Sequence, residues 1–172
     1  MIWKIEAYYA TLSIFDTLYS TFKKTMISKK AKYALKALKV LTEEFGKGPM
    51  LISYIAERER IPKKFLEAIL LELRNQGVLQ SQKGKGGGYA LRIEPEKINL
   101  VQIIRIIDGP IAPTPCVSLN FYVKCDDCES EETCTLRPIM EAVRDANLSV
   151  YANTNLTALA HKKTEPAVEL VH

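Results

Sequence analysis

Four cysteines carry the most specific chemistry in this chain. Cys116, Cys125, Cys128 and Cys134 fall within 19 residues, at the spacing C-x8-C-x2-C-x5-C. Thiolates so close on one loop are ligands for zinc or an iron–sulfur cluster. Their neighbours Asp126, Asp127, Glu129, Glu131 and Glu132 are all negative, and negative charge disfavours a bare thiolate. The acidic setting therefore favours a bound cation over a freely reactive low-pKa thiol. Three readings stay open: a metal or cluster site first, a thiol–disulfide switch second, inert cysteines third. Spacing does not separate zinc from iron–sulfur, because the C-x2-C step is common to both and the second such pair of many zinc ribbons is absent. His161 and His172 lie far along the chain and read as solvated tail residues. A C-x2-C thiol oxidoreductase is a remote alternative, since Cys125 and Cys128 do not open a helix after a strand.

A second constellation suits a polyanion. Lys63 and Lys64 open an apolar-periodic stretch, with Glu67 one turn further on the same face. At the leading end of a helix in the major groove, lysine donates to guanine edges or phosphates and glutamate accepts from cytosine N4. Downstream, Gln82, Lys83 and Lys85 accompany the glycines Gly84, Gly86, Gly87 and Gly88, which let the backbone come close to a phosphate or the minor groove. That run lacks the G-x-x-x-x-G-K-[ST] order of a nucleotide-phosphate loop and opens no helix. Charge follows the same division: residues 26–110 hold 16 Lys and Arg against 9 Asp and Glu, whereas residues 111–172 hold 5 against 9. The basic part is thus the one that meets a polyanion. Contacts to double-stranded DNA are expected from Ser28, Lys29, Lys63, Lys64, Glu67, Gln82, Lys83, Lys85, Gly86, Gly87 and Tyr89.

Hydrophobic periodicity supplies the elements that position these groups. Ser28 reads as the N-cap of a helix whose buried side is Ala34, Ala37, Leu38, Leu41 and Phe45, stopped by Gly46. Beyond Gly48-Pro49, Ile52, Ile55 and Ala56 support a short second helix. Pro62 opens a third, with Phe65, Leu66, Ile69, Leu70 and Leu73 inward and Gly77 at its end. Residues 78–82 and 89–93 read as paired strands around the glycine loop. Asn99 starts a further helix that buries Val101, Ile103, Ile104 and Ile107 and stops at Asp108-Gly109-Pro110. A last long helix begins near Thr135, read as its N-cap, with Pro138 tolerated in the first turn. Its stripe of Leu136, Ile139, Met140, Val143, Ala146 and Val150 has no evident partner within so small a domain, so a second chain is the natural cover, though packing on the N-terminal arm would also serve.

The fold class expected is mainly α with a small β-hairpin wing, a winged helix-turn-helix plus a long C-terminal dimerisation helix. The domains expected are an N-terminal arm at 1–25, a DNA-binding domain at 26–98, a linking helix and cysteine-rich loop at 99–134, and the dimerisation helix and tail at 135–172. The arm places Ile5, Tyr9, Leu12, Phe15, Tyr19 and Phe22 at helical spacing. It reads as a packing helix or as sequence upstream of the true start at Met26. With 172 residues, 47% hydrophobic and 26% charged, the chain is no disordered protein. No stretch approaches the roughly 20 uncharged apolar residues of a membrane span, and Glu6 and Asp16 interrupt the apolar N-terminus. A cytoplasmic location is expected. No Ser-His-Asp, paired-carboxylate or cofactor motif supports an enzyme.

These motifs together resemble the Rrf2 family of winged-helix transcription regulators. The resemblance is carried by residues 26–35, by Ile55-Ala56-Glu57-Arg58, Phe65-Leu66-Glu67 and residues 73–79, by the wing at 83–91, and by Cys116. It spans Met26 to about Ala160. It implies a homodimer joined through the long C-terminal helix, a palindromic operator, and repression sensitive to redox state, nitric oxide or iron through a cysteine-ligated cluster. Cluster-binding members carry three cysteines, which match Cys116, Cys128 and Cys134 and leave Cys125 as an extra thiol or fourth ligand. IscR-like members have a histidine where this chain has Arg137, and NsrR-like members a partner carboxylate where it has Lys32. CymR-like members are controlled by a partner protein, the alternative in which the cysteines hold structural zinc or form a thiol switch. Arg60 replaces a usual turn glycine and Leu51 a usual serine N-cap. A left-handed backbone at Arg60 would cost about 1 kcal/mol.

Overall fold

A computed structural model describes residues 27–84, 86–126, 128 and 130–161. The arm, Lys85, the tail from Lys162 and His172 lie outside these residues. Helix α1 (Lys29–Glu43) begins where Ser28 Oγ accepts from the Ala31 N–H at 3.0 Å, the N-cap expected. Ala31, Ala34, Ala37, Leu38 and Leu41 turn inward. Helix α2 (Ile52–Glu59) starts at Leu51 without a side-chain cap and buries Ile55 and Ala56. Helix α3 (Lys63–Asn75) follows Pro62 and buries Leu66, Ile69, Leu70 and Leu73. Strands β1 (Leu79–Gln82) and β2 (Gly88–Leu91) pair antiparallel, with Leu79 opposite Leu91 and Gln82 opposite Gly88.

Helix α4 (Leu100–Asp108) opens with a full capping box, Asn99 Oδ1 accepting from the Gln102 N–H and Gln102 Oε1 from the Asn99 N–H. It buries Leu100, Ile103, Ile104 and Ile107 under α1 and α3. The cysteine loop then runs to α5 (Arg137–Ala152), and a short α6 (Leu156–His161) returns to the first domain. Leu156 is fully buried, and its N–H donates to Ile98 O at 3.0 Å while the Leu100 N–H donates to Thr154 O. The result is the expected winged helix-turn-helix, with α6 as an addition that periodicity did not reveal. Among the described residues no helix is long and apolar enough to cross a membrane.

Several expected positions are corrected. Phe45 and Phe65 are 44% and 43% exposed. Phe45 follows the end of α1 in a turn, and Phe65 meets Tyr33 edge-on at the surface, ring centroids 5.7 Å apart. Leu100 takes the inward place given to Val101, which is half-buried. The cap of α5 is Leu136, not Thr135, and it makes no side-chain cap bond. No residue of α5 is buried, and Leu136, Ile139, Val143 and Val150 stay exposed.

Arg60 ends α2 in the left-handed conformation, φ 53° and ψ 47°, the only described non-glycine with positive φ. Lys36 supports this turn, its Nζ donating to the Glu59 carbonyl at 2.8 Å and pairing with the Glu59 carboxylate at 3.1 Å. Arg60→Gly should therefore stabilise the fold by no more than about 0.5 kcal/mol, the relief of left-handed strain offset in part by unfolded-state entropy. Urea unfolding followed by circular dichroism measures this, and an unchanged midpoint would mean the turn carries no strain.

Candidate DNA interface and cysteine loop

The groups expected to contact DNA sit on three pieces of backbone held together by one close approach. Met50, in the connector between α1 and α2, exchanges both backbone hydrogen bonds with Tyr89 at 2.8 and 2.9 Å. A Cβ at Gly88 would overlap the Met50 carbonyl, and one at Gly87 would overlap the Gln82 carbonyl. Gly87 is buried and Tyr89 packs partly against the core. Both therefore shape the wing from within, whereas Gln82, Lys83 and Gly86 are exposed on it. Lys85 lies outside the described residues.

Lys63, Lys64 and Glu67 are exposed at the leading end of α3, with the apolar face of the helix turned inward. Lys29 holds its ammonium 5.7 Å from the Tyr33 ring centre. Ser28 is more engaged than expected: its N–H donates to Asp108 Oδ2 at 2.8 Å and its hydroxyl donates to Asp108 Oδ1. Sequence reasoning also missed a groove of about 540 Å³ along α1 and the α2–α3 turn, whose lining includes Ser28, Lys29, Lys32, Lys36 and Arg60. The signal was available in the three- and four-residue spacing of Lys29, Lys32 and Lys36, which puts them on one helix face.

The cysteine loop is built differently, from polar contacts to the start of α5. Arg144 donates to the Val117 carbonyl at 2.8 Å and pairs with Asp145 at 2.7 Å, tying the Pro115–Val117 turn to the helix. Arg137 pairs with Glu131 and with Glu141, and the Tyr122 hydroxyl donates to Glu131. Cys116 is buried, whereas Cys125, Cys128 and Cys134 are half-buried, and none of the four forms a disulfide. The Cys125 thiol interacts with those of Cys116 and Cys128.

The acidity of these thiols reverses one expectation. The Thr114 hydroxyl, 3.3 Å from Sγ, lowers the Cys116 thiol below its ordinary value, with help from Cys125 and the positive charge of Arg137. Cys125, interacting with the Cys116 thiol and removed from water, is pushed up to about 12. Of the acidic neighbours, Glu131 is engaged by Arg137 and by the Tyr122 hydroxyl. As donor types, four thiols fit zinc or an iron–sulfur cluster. As they stand, the described Cys, His, Asp and Glu residues form no group of three or more that could hold a metal ion.

Comparison with known proteins resolves what this arrangement belongs to. The family described as "Rrf2: Iron-dependent Transcriptional regulator" matches residues 27–162. The chain belongs to the Rrf2 family. It is 46% identical to a putative HTH-type transcriptional regulator, rrf2-like, of Rhodobacter capsulatus over 69% of this chain and 81% of that protein. It is 34% identical to the HTH-type transcriptional regulator CymR of Bacillus subtilis over 78% of this chain and 88% of that one. Among solved structures it is similar to CymR of B. subtilis, with TM-score 0.65, 33% identity and coverage of 78% of this chain and 95% of that one. It is also similar to T. potens IscR, with TM-score 0.63, 26% identity and coverage of 83% and 95%. This Rrf2 protein is accordingly a DNA-binding transcription regulator and not an enzyme.

Two outcomes follow from the geometry. Lys64→Ala should weaken specific DNA binding by about 1–3 kcal/mol and relax base choice, whereas Lys83→Ala should weaken all sequences alike and lower the salt slope by about one. Fluorescence anisotropy at several salt concentrations separates them, and an unchanged slope for Lys83→Ala would remove the wing from the interface. In metal-free protein, thiolate absorbance at rising pH should show Cys116 ionising before Cys125. Thr114→Val should move that step to higher pH, and a step that stayed in place would show the hydroxyl to be a bystander.

Proposed function

We propose that this regulator acts in the cytoplasm as a homodimeric repressor on a palindromic operator, with the cysteine loop setting operator affinity. The observation that carries the reading is the position of that loop. It joins the DNA-binding core to α5, a helix with no buried residue and with Leu136, Ile139, Val143 and Val150 exposed along it. An apolar face of that kind is covered in a second copy of the same chain. Two copies would place two basic faces on two half-sites. A change in the loop then alters operator affinity only if the two loop states differ in how they hold those faces.

Four thiols on one loop, and a family described as iron-dependent, support an iron–sulfur cluster held by Cys116, Cys125, Cys128 and Cys134 as the group that distinguishes the states. Such a group would supply sensitivity to oxidants, nitric oxide or iron supply. The second reading, a thiol switch, is favoured by the interaction of the Cys116 and Cys125 thiols, one more acidic and the other less acidic than an ordinary cysteine. Structural zinc with control by a partner protein is the third.

The test has two arms. Sedimentation should give a dimer, and Ile139→Asp with Val143→Asp should give monomers whose operator affinity falls by about 100-fold as avidity is lost. A monomeric wild type would overturn the dimer. Anaerobic purification followed by a visible spectrum and iron, sulfide and zinc analysis decides the loop. Iron with sulfide, lost in Cys116→Ala, supports the cluster. One zinc per chain, or metal-free protein, moves the reading to the alternatives.

A further inference from the structure

Asp108 stands between the two functional parts of the chain. It is the last residue of α4, and Gly109 follows it with φ 87° and ψ −142°. Residues 110–113 then lead directly into the turn that carries Cys116. Asp108, Pro110, Ile111, Ala112 and Pro113 share one small pocket with Asn147 and Tyr151 of α5, so this linker lies between the end of α4 and the C-terminal half of α5. On its other side, Asp108 clasps the start of α1. One carboxylate oxygen accepts the Ser28 N–H at 2.8 Å and the other accepts the Ser28 hydroxyl, while that hydroxyl accepts the Ala31 N–H at 3.0 Å.

A carboxylate held through both oxygens fixes orientation as well as distance. It also lies at the positive end of the α1 dipole, where a negative charge is favoured. The clasp is at the surface, so it is free to open without unpacking the core. Ser28 adjoins Lys29 and begins the helix face that carries Lys32 and Lys36.

We propose that Asp108 is a positioning residue through which the state of the cysteine loop reaches the DNA-contacting start of α1. A shift of residues 110–113 draws the Asp108 carboxylate away from Ser28 and lets the first turn of α1 change its angle to the DNA. This inference rests on the reading that the loop sets operator affinity.

The experiment compares operator affinity of full-length protein purified anaerobically with that of the same protein stripped of any cluster by EDTA and ferricyanide and then thiol-oxidised by diamide. In wild type the two affinities should differ by about tenfold or more, the usual size of a coupling between sites. Asp108→Asn replaces one acceptor oxygen with a donor. It should keep affinity in the tighter state within about threefold and bring the ratio of the two states to near one. Ser28→Ala should also collapse the ratio, Ser28→Thr, which keeps the hydroxyl, should retain it, and the double variant should collapse it no further. A merely structural clasp would lower the melting temperature and leave the ratio intact. A wild-type ratio above tenfold that persists in Asp108→Asn and Ser28→Ala overturns the role of Asp108 alone. A wild-type ratio of one overturns the regulatory reading and this inference with it.

Discussion

The backbone pairing of Met50 with Tyr89 is the constraint on which the DNA face depends. A two-stranded hairpin is marginal by itself in water, and here the connector between α1 and α2 joins it as a third extended segment. That closeness is open only to a residue without a Cβ at 88. Leu79 and Leu91 anchor the base of the same hairpin in the core. Met50 directly precedes Leu51, the start of α2, so one pair of hydrogen bonds sets the wing relative to the whole helix-turn-helix. The glycine run is therefore less a flexible tip than a set of close approaches, with Gly86 and Lys83 on its exposed side.

The cysteine loop is held by other means. Its anchors are Arg144 on the Val117 carbonyl, Arg137 with Glu131, and Tyr122 with Glu131. Exposed ion pairs contribute only about 0–1 kcal/mol each. Leu119, Phe121, Tyr122 and Val123 remain exposed nearby. A segment with few buried apolar contacts belongs to the low-stability end of a protein, from which moving and sensing elements are drawn. The DNA-binding unit has the opposite character: Leu38, Ile55, Leu66, Ile69, Leu70, Leu73 and Ile103 form one fully buried cluster. A rigid reader joined to a weakly held loop suits a regulator better than a uniformly packed domain would.

The charge division acquires a structural meaning on this fold. Lys29, Lys32, Lys36 and Arg60 share a groove beside the turn into α3, and Lys63, Lys64 and Lys83 stand exposed beyond it. The acidic part gathers around the cysteines, where Arg137 sits among Glu131, Glu141 and Cys116. Beside the Thr114 hydroxyl, Arg137 thus adds its charge to what favours the Cys116 thiolate.

Most of the reader was legible in the sequence, because its determinants are local. Apolar residues at helical spacing, Ser28 as a cap, and glycines at turns act within a few residues of one another, and most of them stand where expected. The four thiols were legible as a cluster in sequence for the same reason. What only the tertiary structure decided involves partners distant along the chain. Ser28 meets Asp108 across 80 residues, Arg144 meets Val117 across 27, and Leu156 fills the core beside Ile98. Periodicity placed Phe45 and Phe65 inside, but whether an aromatic at a helix end is covered depends on what packs over it, and among the described residues both stay largely exposed. Likewise, acidic neighbours in sequence suggested protonated thiols, whereas the ionisation of Cys116 is set by whichever hydroxyl and cation the fold brings to its sulfur. Electrostatics acts through space, and sequence distance is a poor measure of it.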